Sequence, residues 1–401
     1  MTEIAVAPPR PLSAVWVVLV CMLIAILEGY DIQAIGVAAP TLAPALHLSQ
    51  GQVGLAGSMA MVGLVFGAVL GGWAADRTGR KPVLVASVAW FGVFSLLTAM
   101  VAGPDLLLAL RLLTGLGFGG AMPNMIAMAG EVSPPGRRVS TVTAIFVGMP
   151  IGGASVALLA RFLPPGFDWR LIFLVGGAAP LLIVPVAALL LPETLVRRDA
   201  SADRRTLPAL FGENRAPTTL FLWIAFAAVQ LVLQLMLAWL PLLVVGKGLG
   251  RDAGSLAALC FNLAGVGGGL AMGRSVDRFG ERWPLLLGFA GLALAMGLLS
   301  VANGQILVPA LAAAAGFGVI GAQFSLYAIA PRYYPAPVRA TAAGAAVGAG
   351  RIGAVAGPLL AGALRSAHAS VTETLAWTLP IIATGALCVF LLTRRSATFD
   401  D

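Results

Sequence analysis

The sequence predicts an all-α membrane protein of twelve transmembrane helices, arranged as two pseudo-symmetric six-helix bundles. Three observations carry that reading. First, the 401 residues are 59% hydrophobic and only 10% charged, with a mean hydropathy of +0.94, whereas a soluble chain is about one quarter charged. Second, the apolar runs have the length of membrane-crossing helices, ~20 residues, and not that of the alternating strands of an outer-membrane barrel. Third, the two halves of the chain repeat one another in a single register.

The runs fall at 14–39, 52–74, 83–102, 106–131, 140–161 and 171–191, then at 218–246, 253–275, 283–302, 305–331, 338–364 and 373–393. The first is too long for the core of a signal peptide, and no small-residue cleavage site follows it. Between the sixth and seventh lies the only long interior polar segment, with Arg197, Arg198, Arg204, Arg205 and Arg215. It divides the chain into an N-terminal bundle (1–191), a connector (192–217) and a C-terminal bundle (218–401).

A net charge of +8 invites a nucleic-acid reading, but the basic residues sit in short loops between spans. If the N-terminus is cytoplasmic, Arg10, Arg77, Arg80, Lys81, Arg137, Arg138, the connector arginines, Arg274, Arg278, Arg282, Arg332, Arg339, Arg394 and Arg395 share its side. The opposite side holds Arg161, Arg170, Lys247, Arg251 and Arg365. The positive-inside bias therefore places both termini in the cytoplasm. Cys21, Cys260 and Cys388 lie in separate spans, and His47 and His368 stand alone in loops. These residues offer neither a disulfide framework nor a metal site. With no nucleophile–histidine pair either, we assign no catalytic residue and no cofactor; a proton is the expected coupling ion.

The repeat is explicit. Gly72-x-x-x-Asp76-Arg77-x-Gly79 returns as Gly273-x-x-x-Asp277-Arg278-x-Gly280, and Gly115-x-Gly117-x-x-Gly120 as Gly316-x-Gly318-x-x-Gly321. Pro134, Arg138 and Gly152 map to Pro335, Arg339 and Gly353. Two parallel six-helix halves with a site between them near the midplane is a transporter arrangement. The Gly-x-Gly-x-x-Gly runs are not dinucleotide fingerprints, which need a preceding strand; inside spans they suit close helix packing.

The repeat also acts as a filter. Glu28 and Asp31 map to Val229 and Val232, Arg111 to Ala312, and Arg351 back to Pro150, so these four intramembrane ionisable residues belong to one copy only. A carboxylate at membrane depth costs about 2.5–3.5 kcal/mol on insertion scales and is a functional candidate by default. Glu28 and Asp31, three residues apart, share a helix face, with Gln33 off to the side. We take them as proton-coupling groups. Arg111 falls at the depth of Asp31, as a structural or coupling partner. Arg351 falls mid-span near the depth of Glu28; a guanidinium keeps its proton and grips a carboxylate with two parallel bonds, so it is the natural clamp for an organic anion.

Tyr30, Gln230, Gln234, Asn262, Gln323 and Tyr327 are weaker substrate-site candidates, since polar groups in spans often only tie helices together. Trp239 and Phe324, with Tyr30, are candidates to stack on an aromatic ring. The loops around Asp76, Arg77 and Arg80, with Glu131 closing span 4, and around Asp277 and Arg278, read as a gate latch: ion pairs that hold the halves together in one state and break in the other.

The stretch Gly72-Trp73-Ala74-Ala75-Asp76-Arg77-Thr78-Gly79-Arg80-Lys81 resembles the hallmark loop of the major facilitator superfamily. With the duplication and Pro192-Glu193-Thr194, that resemblance covers essentially the whole chain. Glu28-Gly29-Tyr30-Asp31-x-Gln33-Ala34-x-Gly36 resembles the first-span signature of the aromatic acid/proton symporter family, and Gly350-Arg351-x-Gly353-x-x-x-Gly357-Pro358 resembles its span 11. The family's usual pattern has Asp before the glycine. Glu28 at that position, with Gln323-x-x-x-Tyr327 and Trp239-Leu240-Pro241, looks closer to its phenylpropionate-type (3-hydroxyphenylpropionate) carriers. The resemblance implies proton-coupled import of a hydroxyphenylpropionate or hydroxybenzoate across a bacterial inner membrane, by a monomer whose partners are the acid, protons and lipid. Two other readings stay open. Gly148-x-Pro150-x-Gly152-Gly153 resembles part of an antiporter signature, although Ala144 stands where that pattern has a glycine. A non-transporting sensor would have only the connector as its effector.

Overall fold

The computed structural model describes residues 11–133, 138–164, 167–193, 210–212, 215–335 and 338–395. Most of the connector lies outside them, including Arg197, Arg198, Arg204 and Arg205, as do Arg10, Pro134, Arg137 and Thr194. The described chain is helical, and 12 of its segments are long and apolar enough to cross a membrane. The first six are α1 (Pro11–Ala45), α2 (Gln50–Thr78), α3 (Arg80–Thr98), α4 (Pro104–Val132), α5 (Arg138–Phe162) and α6 (Arg170–Leu190). The next five are α7 (Ala216–Gly246), α8 (Arg251–Phe279), α9 (Arg282–Val301), α10 (Leu307–Ile329) and α11 (Arg339–Ser366). The twelfth span is broken at Trp377 into α12 (Val371–Ala376) and α13 (Thr378–Arg395).

Local chemistry sets the ends of these helices. Ser49 caps α2: its hydroxyl accepts from the Gln52 amide at 3.3 Å, and its own amide donates to Gln52 Oε1 at 2.9 Å, a reciprocal capping box. Ser370 and Glu373 do the same for α12. Gly79 ends α2 at φ +103°, and Gly280 follows α8 at φ +75°. The repeated loop needs glycine there because a side chain disfavours positive φ. The first run continues past Pro40 and Pro44 to Ala45. Proline removes a helix donor, but neighbouring helices make such breaks tolerable in membrane spans.

The two bundles pack alike. In the first, α1 lies on α5, α2 on α4 and α3 on α6; in the second, α7 lies on α11, α8 on α10 and α9 on α13. The bundles join through α2 against α11 and α5 against α8, two pairs that the repeat exchanges. The Gly-x-Gly-x-x-Gly runs are packing surfaces. A side chain at Gly115 would strike the backbone of Ala60, and one at Gly316 the backbone of Phe261, the same contact in each bundle.

An even number of crossings puts both chain ends on one face, here called the terminal face. Described contacts between the bundles lie at mid-depth and toward the far face. Ser58 donates to the Val355 carbonyl at 2.8 Å, and Arg161 to the Asp252 carbonyl at 3.4 Å. Only about 10 Å³ of space is left among Thr41, Ala160, Arg251 and Asp252. The far face is closed.

Candidate functional site

Asp31 of α1 is the centre of a buried polar unit. Arg111 of α4 approaches it at 2.7 Å (Nη1 to Oδ1), and its Nη2 reaches the Asp31 carbonyl at 3.3 Å. The Ser95 hydroxyl of α3 donates to the second carboxylate oxygen. Both charged side chains are fully buried. The Phe173 ring of α6 lies 5.8 Å from the Arg111 guanidinium carbon, within cation–π range. Arg111 Nε alone is left without an acceptor. In so dry a place each charge is tolerable only because the other answers it.

Glu28, one turn earlier, is equally buried, but neither of its oxygens meets a hydrogen-bond donor among the described residues. The charge that acts on it is that of Arg351 in α11. Arg351 itself donates, among the described residues, to a soft acceptor, Met122 Sδ at 2.9 Å. Among those residues the site thus holds a carboxylate without a donor and a guanidinium without an anion within electrostatic reach of each other. The α1 backbone is placed for this by Gly29, where a Cβ would collide with the backbone of Met149 in α5.

Between the bundles lies a cavity of about 100 Å³. Phe146, Leu233, Ile320 and Phe324 give it apolar walls, and Arg351, Gln33, Gln230, Gln234, Asn262, Gln323 and Tyr327 its polar ones. Across it, Gln33 and Asn262 exchange amide bonds: Gln33 Nε2 donates to Asn262 Oδ1 at 3.0 Å, and Asn262 Nδ2 donates to Gln33 Oε1 at 2.7 Å. Gln230 Oε1 and both amide atoms of Gln323 are buried with no partner among the described residues. A cation, unengaged amides and aromatic walls can hold a flat apolar body that carries an anionic end.

Several sequence expectations are corrected. Tyr30 does not face the cavity; it points the other way, and its hydroxyl donates to the Ile172 carbonyl at 3.0 Å. Trp239 is fully buried and donates to the Pro358 carbonyl at 3.2 Å, so it packs α7 on α11 and is closed to a ligand. The cavity face of α1 is Gly29, Ile32 and Gln33, and Asp31 turns toward α3 and α4 instead. In this conformation the described ion pairs of the hallmark loops lie within each half, so a latch between the halves concerns the other state. Arg80 pairs with Glu131 within the first bundle and donates its backbone amide to Glu193, at the start of the connector, at 3.1 Å. Asp277 pairs with Arg332 at 3.3 Å, within the second. Arg77 stacks on Trp73 at 3.9 Å and Arg278 on Phe279 at 5.2 Å, while Asp76 has no ion pair among the described residues. The bundles meet at the far face, so loops on the terminal face have only their own bundle to bond with.

Sequence reasoning missed Ser95, Glu193, the Gln33–Asn262 clasp and the lining role of Met122, Phe146 and Met149. Gln33 had a signal. It occupies the repeat position of Gln234, and both line the cavity.

The sequence matches the description Major Facilitator Superfamily over residues 21–358 and again over 248–398. The chain belongs to the major facilitator superfamily. It is therefore a multi-pass membrane protein of a transporter superfamily and not an enzyme. It is 38% identical to a 3-(3-hydroxy-phenyl)propionate transporter of Escherichia coli (strain K12), across 94% of this chain and 93% of that one. It is 34% identical to a gallate transporter of Pseudomonas putida, across 89% and 87%. Among solved structures, a D-xylose-proton symporter superposes with a TM-score of 0.79 at 19% identity, covering 96% of this chain and 98% of the other; that likeness is one of fold.

Proposed function

We propose that this protein imports a small aromatic carboxylate, of the hydroxyphenylpropionate or hydroxybenzoate type, together with protons by alternating access. The observation that carries this is the cavity between the bundles, whose one lining cation, Arg351, has no anion and whose amide atoms Gln230 Oε1, Gln323 Oε1 and Gln323 Nε2 have no partner among the described residues. The relatives named for hydroxyphenylpropionate and gallate transport support the class of substrate. Both termini lie in the cytoplasm of a bacterial cell, on the argument from loop charge, so the closed far face is the external one and this conformation has completed entry.

In this reading the bundles 1–191 and 218–401 rock about the cavity while 192–217 connects them, and the working unit is a monomer. The substrate carboxylate docks on Arg351, with its ring against Phe146 and Phe324 and its hydroxyl groups on Gln230, Gln234, Gln323 and Tyr327. The two acids divide the coupling. Asp31 is engaged on every side by Arg111 and Ser95, while Glu28 meets no donor. Glu28 is therefore the first site to take a proton, beside the substrate, and Asp31 exchanges Arg111 for a proton when the bundles rearrange.

The test is uptake into proteoliposomes that contain only this protein, with an imposed pH gradient and a panel of aromatic and aliphatic acids. Accumulation of an aromatic acid against its gradient, driven by a lower external pH, is expected. Extrusion of the acid under that same gradient, as protons move inward, would make it an antiporter. Absence of any flux across the panel would favour the sensor.

A further inference from the structure

The repeat shows a second asymmetry, away from the cavity between the bundles. In the first bundle the outer groove between α3 and α4 is filled: Trp90 lies across it, and its indole donates to the Leu113 carbonyl at 2.9 Å. The same register places Gly291 where Trp90 stands, and Ala313 and Ala314 where Leu112 and Leu113 stand. The second bundle has lost the plug and its flanking bulk together. What is left is an open groove of about 740 Å³ among α8, α9 and α10, lined by Phe279, Trp283, Leu287, Gly291, Ala313 and Ala314. That volume is within the range of ligand-binding clefts, about 300–1,000 Å³.

The groove opens toward the membrane. Phe279, Trp283 and Leu287 are 65%, 62% and 68% exposed, on spans whose outer surface faces lipid. Its mouth toward the terminal face is cationic. Arg278 stacks on Phe279, and Arg282 lies 5.5 Å from Trp283 and 5.2 Å from Phe390. Arg282 Nε is buried with no acceptor. Nearby acids are engaged elsewhere, Asp277 by Arg332 and Glu281 by the Tyr333 hydroxyl. The occupant must therefore be apolar along its length, reach the site through the bilayer and end in an anion at the surface.

We propose that this groove is a binding site for one anionic phospholipid, with an acyl chain along Gly291, Ala313 and Ala314 and its phosphate on Arg282 and Arg278. Juxtamembrane arginines attract anionic headgroups by charge, and the missing Trp90 equivalent makes room for the chain.

Native mass spectrometry of the full chain in detergent, titrated with dioleoyl phosphatidylglycerol or dioleoyl phosphatidylcholine, tests this. Wild type is expected to retain one phosphatidylglycerol in preference to phosphatidylcholine. Gly291→Trp restores the plug of the first bundle, and Ala314→Leu restores one of its flanks; a Cβ at Gly291 meets nothing within 4 Å, so the groove has space for the added ring. Both variants are expected to lose the retained lipid, and Arg282→Gln to lower the preference for phosphatidylglycerol about fivefold with tail binding retained. If Gly291→Trp does not fold, Ala314→Leu decides. Undiminished retention by a folded groove-filling variant, or equal retention of the two lipids by wild type, overturns the proposal.

Discussion

The energetics of the site turn on pairs of charges that water does not reach. Removing one member of a buried ion pair leaves the other uncompensated, at a cost of about 3–5 kcal/mol, whereas replacing both by uncharged groups is often neutral. Arg111 and Asp31 are both fully buried. Arg111→Leu alone is therefore expected to lower the melting temperature in detergent sharply. The double variant Arg111→Leu/Asp31→Asn should recover most of it while losing proton-driven accumulation. A double variant as unstable as the single one would show that the pair is not the reason for the loss. Arg351 makes a different case, because its present partner is only the Met122 sulfur. A charge-assisted bond is worth about 1.5–3 kcal/mol, so Arg351→Ala should raise the half-saturation constant for a carboxylate substrate about tenfold or more, with little change in melting temperature. Unchanged affinity would place the anion elsewhere. The contact between Asp31 and Arg111 was legible in the sequence because helix rise converts residue number into depth. Ser95 was not, because a single hydroxyl in an apolar span looks like any other.

Which way a helix is rotated is much harder to read than where it runs. Spans 1 to 12 follow the apolar runs within a few residues at most ends, since crossing length and apolarity leave little freedom. Rotation is settled by packing, and in α1 almost every face is buried. A stripe rule that separates apolar from polar faces therefore has nothing to act on. The pairing of Glu28 with Asp31 on one face suggested a common outlook. Instead Gly29, pressed on the α5 backbone, turns the Gly29–Gln33 edge to the cavity and Asp31 toward α4. The repeat filter, which picked out polar groups present in one half only, passed over Gln33 for a related reason. A site on a pseudo-twofold axis takes equivalent positions from both halves, and Gln33 and Gln234 are such a pair. The Gln33–Asn262 clasp is the one described side-chain amide exchange between α1 and α8. Gln33→Ala is expected to loosen closure of the far face. In a chain lacking Cys21, Cys260 and Cys388, a cysteine at Thr41 should react faster with an impermeant maleimide when Gln33 is Ala than when it is Gln. Equal rates would mean that the clasp positions substrate and has no part in closure.

At the scale of the whole molecule, the symmetry of the fold and the asymmetry of its chemistry are separable. The helix pairs that build each bundle, and the two most extensive contacts that join them, are exchanged by the repeat; the intramembrane ionisable groups Glu28, Asp31, Arg111 and Arg351 are not. The proposed rocking needs only the symmetric part, because α2–α11 and α5–α8 are equivalent contacts about the cavity. The hallmark loops were read as a latch between the halves, but a loop pairs with what it reaches. With the far face shut, the described pairs of Arg80 and Asp277 stay within their own bundles. A latch across the bundles therefore belongs to a conformation in which the terminal face is shut instead. Closure at the far face brings α2 and α11 near enough to be trapped. A Cβ at Gly51, at the start of α2, would lie 3.3 Å from Ser366 Oγ at the end of α11. With cysteine at both positions a sulfur takes the place of that Oγ, and in a disulfide with an S–S bond of ~2.05 Å each Cβ lies about 3 Å from the partner sulfur, so the spacing suits one. Gly51→Cys/Ser366→Cys in the cysteine-free chain is expected to cross-link under mild oxidation, abolish uptake, and regain it on reduction. Full transport by the cross-linked protein would show that α2 and α11 do not part during the cycle, and would confine alternating access to movements nearer the terminal face.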